Sequence, residues 1–108
     1  MQYLVKGTIL LSIFFGANDC ALPDGTSSRQ HVPIPQYKSN IEAMIAHARA
    51  AGIENILLIA PPPIDEEARV AWNKNLHGDN AKDSAERSNA VAGQYAEACK
   101  EVCPLHLI

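Results

Sequence analysis

The sequence lacks an apolar run long enough to cross a membrane. Its longest apolar stretch, residues 7–16, is far shorter than the roughly 20 residues that a transmembrane helix needs. The stretch follows Lys6 near the start and so partly resembles a secretory signal, but no Ala-x-Ala cleavage motif comes after it. We expect no membrane span, a β-strand here and a cytoplasmic protein. The alternative is a secreted protein from which residues 1–17 are removed.

Basic residues are also scarce. The 108 residues contain 9 Lys and Arg against 12 Asp and Glu, which gives a formal net charge of −3, and no Lys/Arg cluster stands out. A protein that binds nucleic acid normally carries a basic patch that neutralises phosphates. The composition therefore argues against a nucleic-acid partner, and the length allows one domain at most.

Cysteine and histidine are too few and too scattered to build a metal site or a disulfide framework. The three cysteines are an odd number without framework spacing, and Cys99 and Cys103 lie four residues apart. Structural metal sites need more ligands at closer spacing. We expect reduced thiols, no metal and no cofactor. The histidines that spread along the chain are His31, His47, His77 and His106.

The most informative feature present is an apolar run, Ile9–Phe15, that leads directly into Gly16-Ala17-Asn18-Asp19. The run has the length and composition of a strand buried in a parallel sheet. Chemistry in open α/β sheets lies just past the carboxyl ends of such strands. Gly16 permits a sharp turn or a close approach, and Asn18 can donate a neutral N–H to a developing anion. The alternative is an ordinary turn, since Gly, Asn and Asp are common turn residues.

The first half of the chain predicts a strand–helix–strand unit. Strands are predicted at about residues 8–15 and 55–60, and the helix between them at residues 36–51, after a polar loop over residues 19–35. Strands joined by such a helical crossover run parallel. Pro35 suits the first helical turn and Gly52 the position just past its end. The predicted apolar stripe of this helix is Tyr37, Ile41, Met44, Ile45 and Ala48.

The second half predicts two helices after a proline stop. Pro61, Pro62 and Pro63 end the second strand, since none of them can donate to a ladder. Asp65 can cap a short helix that runs through Trp72, residues 76–83 are polar, and a last helix is predicted over residues 84–102. The three prolines and Trp72 could wall an apolar pocket. Alternatively, the prolines form a rigid end to the strand and Trp72 is an aromatic residue of the core.

Two apolar strands cannot form a complete sheet, so the pattern is that of the middle of a larger α/β domain. Four segments, in order and spacing, resemble one family, the GDSL or SGNH hydrolases, and within it the isoamyl acetate-hydrolysing esterases. The segments are residues 13–19, residues 30–33 with Tyr37 and Asn40 following, residues 59–63, and residues 87–89 followed by 95–99. The resemblance covers nearly the whole chain from Ile9 to Cys103.

This resemblance implies a three-layer α/β/α fold with a parallel sheet, of which the chain would contain about two strands and two or three helices. It also implies hydrolysis of a small, acetate-type ester by a serine that forms an acyl-enzyme. Asn18 matches the family's oxyanion-hole asparagine, and Gly16 and Asp19 match the loop that supports it. A small-molecule ester is then the expected partner, and the oligomeric state is left open.

The chain also departs from the family pattern. No Gly-Asp-Ser block precedes Gly16, and no Asp is followed three residues later by His. We therefore expect residues 1–108 to be a partial domain that is inactive alone. His31 with Ser27 or Ser28 is not favoured as a substitute dyad, because nothing in the sequence orients such a pair. The alternative function is that of an inactive truncated paralogue or gene-model fragment that acts as a binding protein.

Overall fold

A computed structural model describes residues 7–25, 27–78 and 87–103 of the chain. Within these residues the elements follow one another as strand, helix, strand, helix, helix, with one 3₁₀ turn at Ser28–Gln30 before the first helix. The elements are β1 (Leu11–Ile13), α1 (Ile34–Ala50), β2 (Ile56–Leu58), α2 (Glu66–His77) and α3 (Asn89–Val102). None of these helices is long and apolar enough to pass through a bilayer.

The two strands pair in parallel, as the sequence predicts. Leu11 lies opposite Ile56, and Ile13 lies opposite Leu58. The N–H of Ile59 donates to the carbonyl oxygen of Ile13 at 2.9 Å, which continues the pairing past β2. Helix α1 connects the strands, so the mixed helix and strand arrangement agrees with part of an α/β fold.

Helix α1 forms where its apolar spacing predicts it, two residues earlier than expected. Pro35 lies in its first turn, where a missing N–H costs nothing. Its end is closed by Gly52, whose φ of +88° suits glycine and whose N–H donates to Arg49 O at 2.9 Å. The predicted stripe faces the interior: Tyr37, Ile41, Ile45 and Ala48 are buried, and Met44 packs against them.

Helices α2 and α3 begin at side-chain caps. Asp65 caps α2 as predicted, its carboxylate accepting the N–H of Ala68 at 3.0 Å. Ser88 caps α3, its hydroxyl accepting the N–H of Val91 at 3.2 Å. Because Ser88 has extended dihedral angles, the described helix begins at Asn89. The predicted start of the last helix at residue 84 lies outside the described residues. Conversely, α2 continues through Leu76, which was predicted to be in a polar turn.

The core lies between the sheet and the pair α1 and α3. The rings of Tyr37 and Tyr95 meet at a centroid distance of 5.3 Å and a tilt of 54°, a favourable aromatic geometry. Around them lie small and aliphatic side chains from β1, α1 and α3, which leave room for the two rings. The other buried members are Ile13, Cys20, Ile41, Ile45, Ala92, Ala98 and Cys99.

The sheet is buried on one face only, which corrects the prediction of strands buried on both. Its covered face consists of Leu11, Ile13, Ile56 and Leu58, which contact the core. Its bare face consists of Ser12, Phe14, Leu57 and Ile59. Phe14 is 53% exposed and Leu57 is 50% exposed. Helices α1 and α3 pack on one side, and the alternate residues of each strand are exposed on the other. Both strands are also shorter than predicted, at three residues each.

Candidate functional site

The turn Gly16–Ala21 follows β1 at the carboxyl end of the sheet. It is closed by two backbone hydrogen bonds: Cys20 N donates to Gly16 O at 3.0 Å, and Ala21 N donates to Asn18 O at 3.1 Å. The Cys20 thiol also donates to Ala17 O at 3.3 Å, and this side chain is fully buried. Asn18 is exposed to solvent in the middle of this turn. The turn therefore presents Asn18 outward on a fixed backbone.

Gly16 is required by its surroundings. Its φ of +123° is a conformation that side chains disfavour, and a Cβ atom there would lie 2.5 Å from Cγ of Pro61. It would also lie 3.0 Å from the hydroxyl of Tyr37, which donates to Phe15 O at 3.0 Å. Gly16 thus allows the segment after β1 to lie directly against the segment after β2 at Pro61. The Tyr37 hydroxyl lies next to this contact.

Arg87 joins this turn to the beginning of α3. The side chain is only 7% exposed, and its Nε donates to Ala17 O at 2.8 Å. Its Nη2 donates to the side-chain oxygen of Asn18 at 3.4 Å and to the side-chain oxygen of Gln30. One guanidinium therefore links three segments: the turn after β1, the 3₁₀ turn and the N-terminal end of α3.

Asn18 borders a cleft of about 680 Å³. This volume lies within the usual range for small-molecule sites. Helix α2 supplies the far wall through Arg69, Trp72 and Leu76, which share one helix face at spacings of three and four residues. Arg69 stacks its guanidinium 4.7 Å from the centroid of the Trp72 ring. The remaining lining residues are Ala17, Ser27, Ser28, Arg29, Gln30, Ile64 and Arg87.

Two of the three residues weighed as a substitute dyad, Ser27 and Ser28, lie beside this cleft. The Nδ1 atom of His31 lies 2.8 Å from Ala21 O, and because a carbonyl can only accept, that nitrogen carries the proton. His31 thereby fastens the end of the turn. Its backbone N–H donates to Ser28 O at 3.1 Å, but within the described residues its imidazole ring makes no hydrogen bond to the hydroxyl of Ser27 or Ser28.

Asp19 holds the same loop through its backbone, since its carbonyl oxygen accepts the N–H of Val32 at 3.0 Å. Burial raises the pKa of the Asp19 carboxyl above its ordinary value, while its own backbone N–H and the charge of His31 oppose the shift. Burial likewise raises the pKa of the Cys20 thiol, against the opposing charge of Arg87. It also raises the pKa of the Tyr37 hydroxyl strongly, with Cys99 acting in the same direction.

The prolines predicted to wall a pocket lie apart from this cleft. Pro61 is buried against Gly16, and Pro62 and Pro63 are exposed. Trp72, suggested with them, does line the cleft. The sequence analysis missed Arg69, Leu76 and Arg87. The first two could have been found, because their spacing from Trp72 puts them on one helix face. Arg87 belongs to the segment 87–89 that carries the resemblance, but no local pattern ties residue 87 to residue 18.

Comparison with known proteins gives one consistent result. Residues 3–104 match the family model described as GDSL-like Lipase/Acylhydrolase. A GDSL esterase/lipase of Arabidopsis thaliana is 41% identical over 92 residues, which are 84% of this chain and 38% of the relative. An isoamyl acetate-hydrolyzing esterase 1 homolog of Mus musculus is 37% identical over 100 residues, 91% of this chain and 38% of the relative.

A second Arabidopsis thaliana GDSL esterase/lipase is 43% identical over 90 residues, which are 82% of this chain and 36% of the relative. The chain therefore spans less than two fifths of the length of these curated relatives. Similarity of this extent identifies the family of the segment. It leaves the activity of a complete protein to be argued from the site.

Proposed function

Since the chain belongs to the GDSL-like lipase/acylhydrolase family, we propose that it forms part of an ester hydrolase domain that acts on small, acetate-type esters. In the complete site a serine outside this segment attacks the ester carbonyl, and water then hydrolyses the acyl-enzyme. Residues 1–108 supply the oxyanion donor and one wall of the substrate cleft. Without the Gly-Asp-Ser and Asp-x-x-His blocks, the segment alone has no hydrolytic activity.

The observation that carries this proposal is the position of Asn18 on the rim of the cleft. Its backbone is held by the turn, and its side-chain oxygen accepts from Arg87. The amide nitrogen is therefore available to donate to a carbonyl oxygen that becomes negative in the transition state. A donor held in advance stabilises that charge without reorganising, and losing one typically costs about 100- to 1,000-fold in turnover.

The walls of the cleft support a small ester as the substrate. Trp72, Leu76 and Ile64 offer apolar surface to an acyl or alcohol chain, and Ser27, Ser28 and Gln30 offer polar contacts. Most of the lining residues are polar or charged and include Arg29, Arg69 and Arg87, so the short chain of a neutral ester would lie against the apolar part of the wall. The preference for acetate rests on the likeness to esterases named for isoamyl acetate.

A chimera tests the proposal. The segment replaces the part that it matches in the mouse relative, and turnover of a chromogenic acetate ester is measured. Asn18→Ala should lower kcat by one to three orders of magnitude with little change in KM, because the lost bond acts mainly in the transition state. Asn75→Ala, an exposed asparagine of α2 away from the cleft, is the matched control. An unchanged kcat for folded Asn18→Ala would show that Asn18 is only a turn residue.

The bare face of the sheet favours a second candidate function, that of an inactive chain that binds another protein. Phe14, Leu57 and Ile59 leave apolar area exposed beside two strand edges, and such surfaces promote association. Sedimentation of the purified chain tests this candidate for the case in which the partner is a second copy of the chain. Leu57→Lys should abolish association if the bare face is the binding surface, and an unaltered sedimentation profile would count against it.

A further inference from the structure

Arg87 is a buried cation placed where the candidate donor needs a fixed orientation. Ser88, the cap of α3, has φ −128° and ψ 152°, so the residue before it lies outside the helix, and its side chain reaches the turn after β1. Helix α3 is itself held in place by Tyr95, whose hydroxyl donates to Val32 O. The position of the guanidinium is thus set by the packing of α3 against α1.

The chemistry of a guanidinium dictates the orientation of the amide that it contacts. A guanidinium has only N–H donors, so the part of Asn18 that faces it must be the oxygen. The Nη2 atom lies 3.4 Å from that oxygen, while Nε holds Ala17 O at 2.8 Å. The opposite orientation would set the amide N–H groups against other donors and a positive charge. The asparagine therefore presents its nitrogen away from Arg87.

A second side-chain acceptor, Gln30, fixes the orientation of the Arg87 guanidinium plane. Gln30 accepts from the same Nη2 atom, and Gln30 borders the same cleft as Asn18. Holding the Ala17 carbonyl and two side-chain oxygens at once requires donors on a rigid planar group. A lysine has its donors on one atom at the end of a flexible chain and cannot reproduce that arrangement.

We propose that Arg87 is a positioning residue, which holds the Asn18 amide with its oxygen inward and its nitrogen toward the cleft. This inference rests on the proposed function of Asn18 as oxyanion donor. Arg87 does not touch the substrate in this role. Its positive charge also draws electron density from the Asn18 oxygen, which makes the amide N–H a stronger donor.

The first test measures the side-chain amide directly in the purified chain. Relaxation of the Asn18 Nδ2 group by NMR should report a rigid amide in the native sequence and a mobile one in Arg87→Lys. Arg49→Lys, an exposed arginine at the end of α1, should leave the amide rigid. An Asn18 amide of the same mobility in Arg87→Lys as in the native sequence would overturn the proposal.

The second test is a double-mutant cycle in the chimera. Arg87→Lys should lower kcat about tenfold with KM nearly unchanged, and should have no further effect when Asn18 is already alanine. Arg87→Ala, if it stays folded by melting temperature, should regain turnover with methylguanidinium only while Asn18 is present. Independent, multiplying effects of the two substitutions would overturn the positioning role alone. An unaltered kcat in Asn18→Ala would overturn the donor role itself.

Discussion

The covered and bare faces of the two-stranded sheet have similar side chains and opposite surroundings. On the covered face, Ile13 is 2% exposed and lies against Tyr37 and Tyr95 in the core. On the bare face, Leu57 is 50% exposed although it is as apolar as Ile13. Strand residues that are equally apolar on both sides are typical of a sheet covered by helices on both sides.

The difference indicates which part of the three-layer architecture this segment supplies. Helices α1 and α3 form one helical layer, and the sheet forms part of the middle layer. The apolar residues of the bare face fit the contact surface of a second helical layer. The turn that carries Asn18 depends on the covered side, through Tyr37, Arg87 and Val32. The candidate donor is therefore organised by the layer that is present.

The largest expected effect tests the comparison directly with one substitution on each face. Ile13→Ala should lower the free energy of unfolding by about 2–4 kcal/mol, because it removes buried methyl groups and leaves a cavity. Leu57→Ala should change it by less than about 0.5 kcal/mol, because solvent already reaches that side chain. Urea unfolding of both variants supplies the measurement. Equal losses would mean that the bare face is buried in solution.

The next prediction compares two glycines with positive φ, of which Gly16 is also closely packed and Gly52 is not. Gly16→Ala should cost about 2–4 kcal/mol, because a Cβ would overlap Pro61 and the φ of +123° is unfavourable. Gly52→Ala has φ +88° and no atom within 4 Å of the new Cβ, so it should cost only about 1 kcal/mol. Thermal melting of the two variants gives the comparison. A Gly16→Ala protein as stable as Gly52→Ala would show that the strand exits are not in contact.

The smallest expected effect concerns the partly buried carboxyl of Asp19 beside the covered face. Its pKa in the folded protein is raised above 3.8 by burial, so the folded state binds this proton more tightly than the unfolded state. The ionised Asp19 carboxylate therefore destabilises the folded protein. This destabilisation is absent well below pH 3.8, where the carboxyl is protonated in both the folded and the unfolded state. It develops as the pH rises above 3.8, where the unfolded chain ionises first, and it is complete once the pH has passed the raised pKa of the folded state.

Asp19→Asn should therefore raise the melting temperature slightly at pH 7, and the difference from the native chain should vanish toward pH 4. Melting curves across this range provide the check. Glu54→Gln, which neutralises an exposed carboxyl next to β2, is the control for loss of one negative charge. If Asp19→Asn is instead less stable at pH 7, the carboxylate holds the loop by accepting hydrogen bonds, as turn aspartates commonly do.

The local features of this fold could be predicted from the sequence because they depend on neighbouring residues. The stripe from Tyr37 to Ala48, the cap at Asp65 and the glycine past α1 are each determined within a few positions. The parallel pairing followed from the helix between the strands. The burial of the strands did not follow, because it depends on which layers cover the sheet and not on the composition of each strand.

The candidate site divides in the same way. The Gly16–Asp19 turn could be recognised from its residues, and the cleft wall on α2 has a helical spacing that could have been recognised. The link from Arg87 to Ala17 and Asn18 could not, because it depends on how α3 packs against α1. Contacts of this kind are determined by tertiary packing and leave no periodic signal in the sequence.

The hydrogen bond from Arg87 to Ala17 also has a consequence for the order of folding. It spans 70 positions, whereas β1 and β2 pair across 45. A ribosome delivers the chain from its N-terminus, so the strand pair can assemble while residue 87 has still to be synthesised. The anchor of the turn then forms late, after the longer loop has closed. A nascent chain arrested before residue 87 should contain a sheet without a fixed Asn18, which makes this side chain a reporter of completed folding.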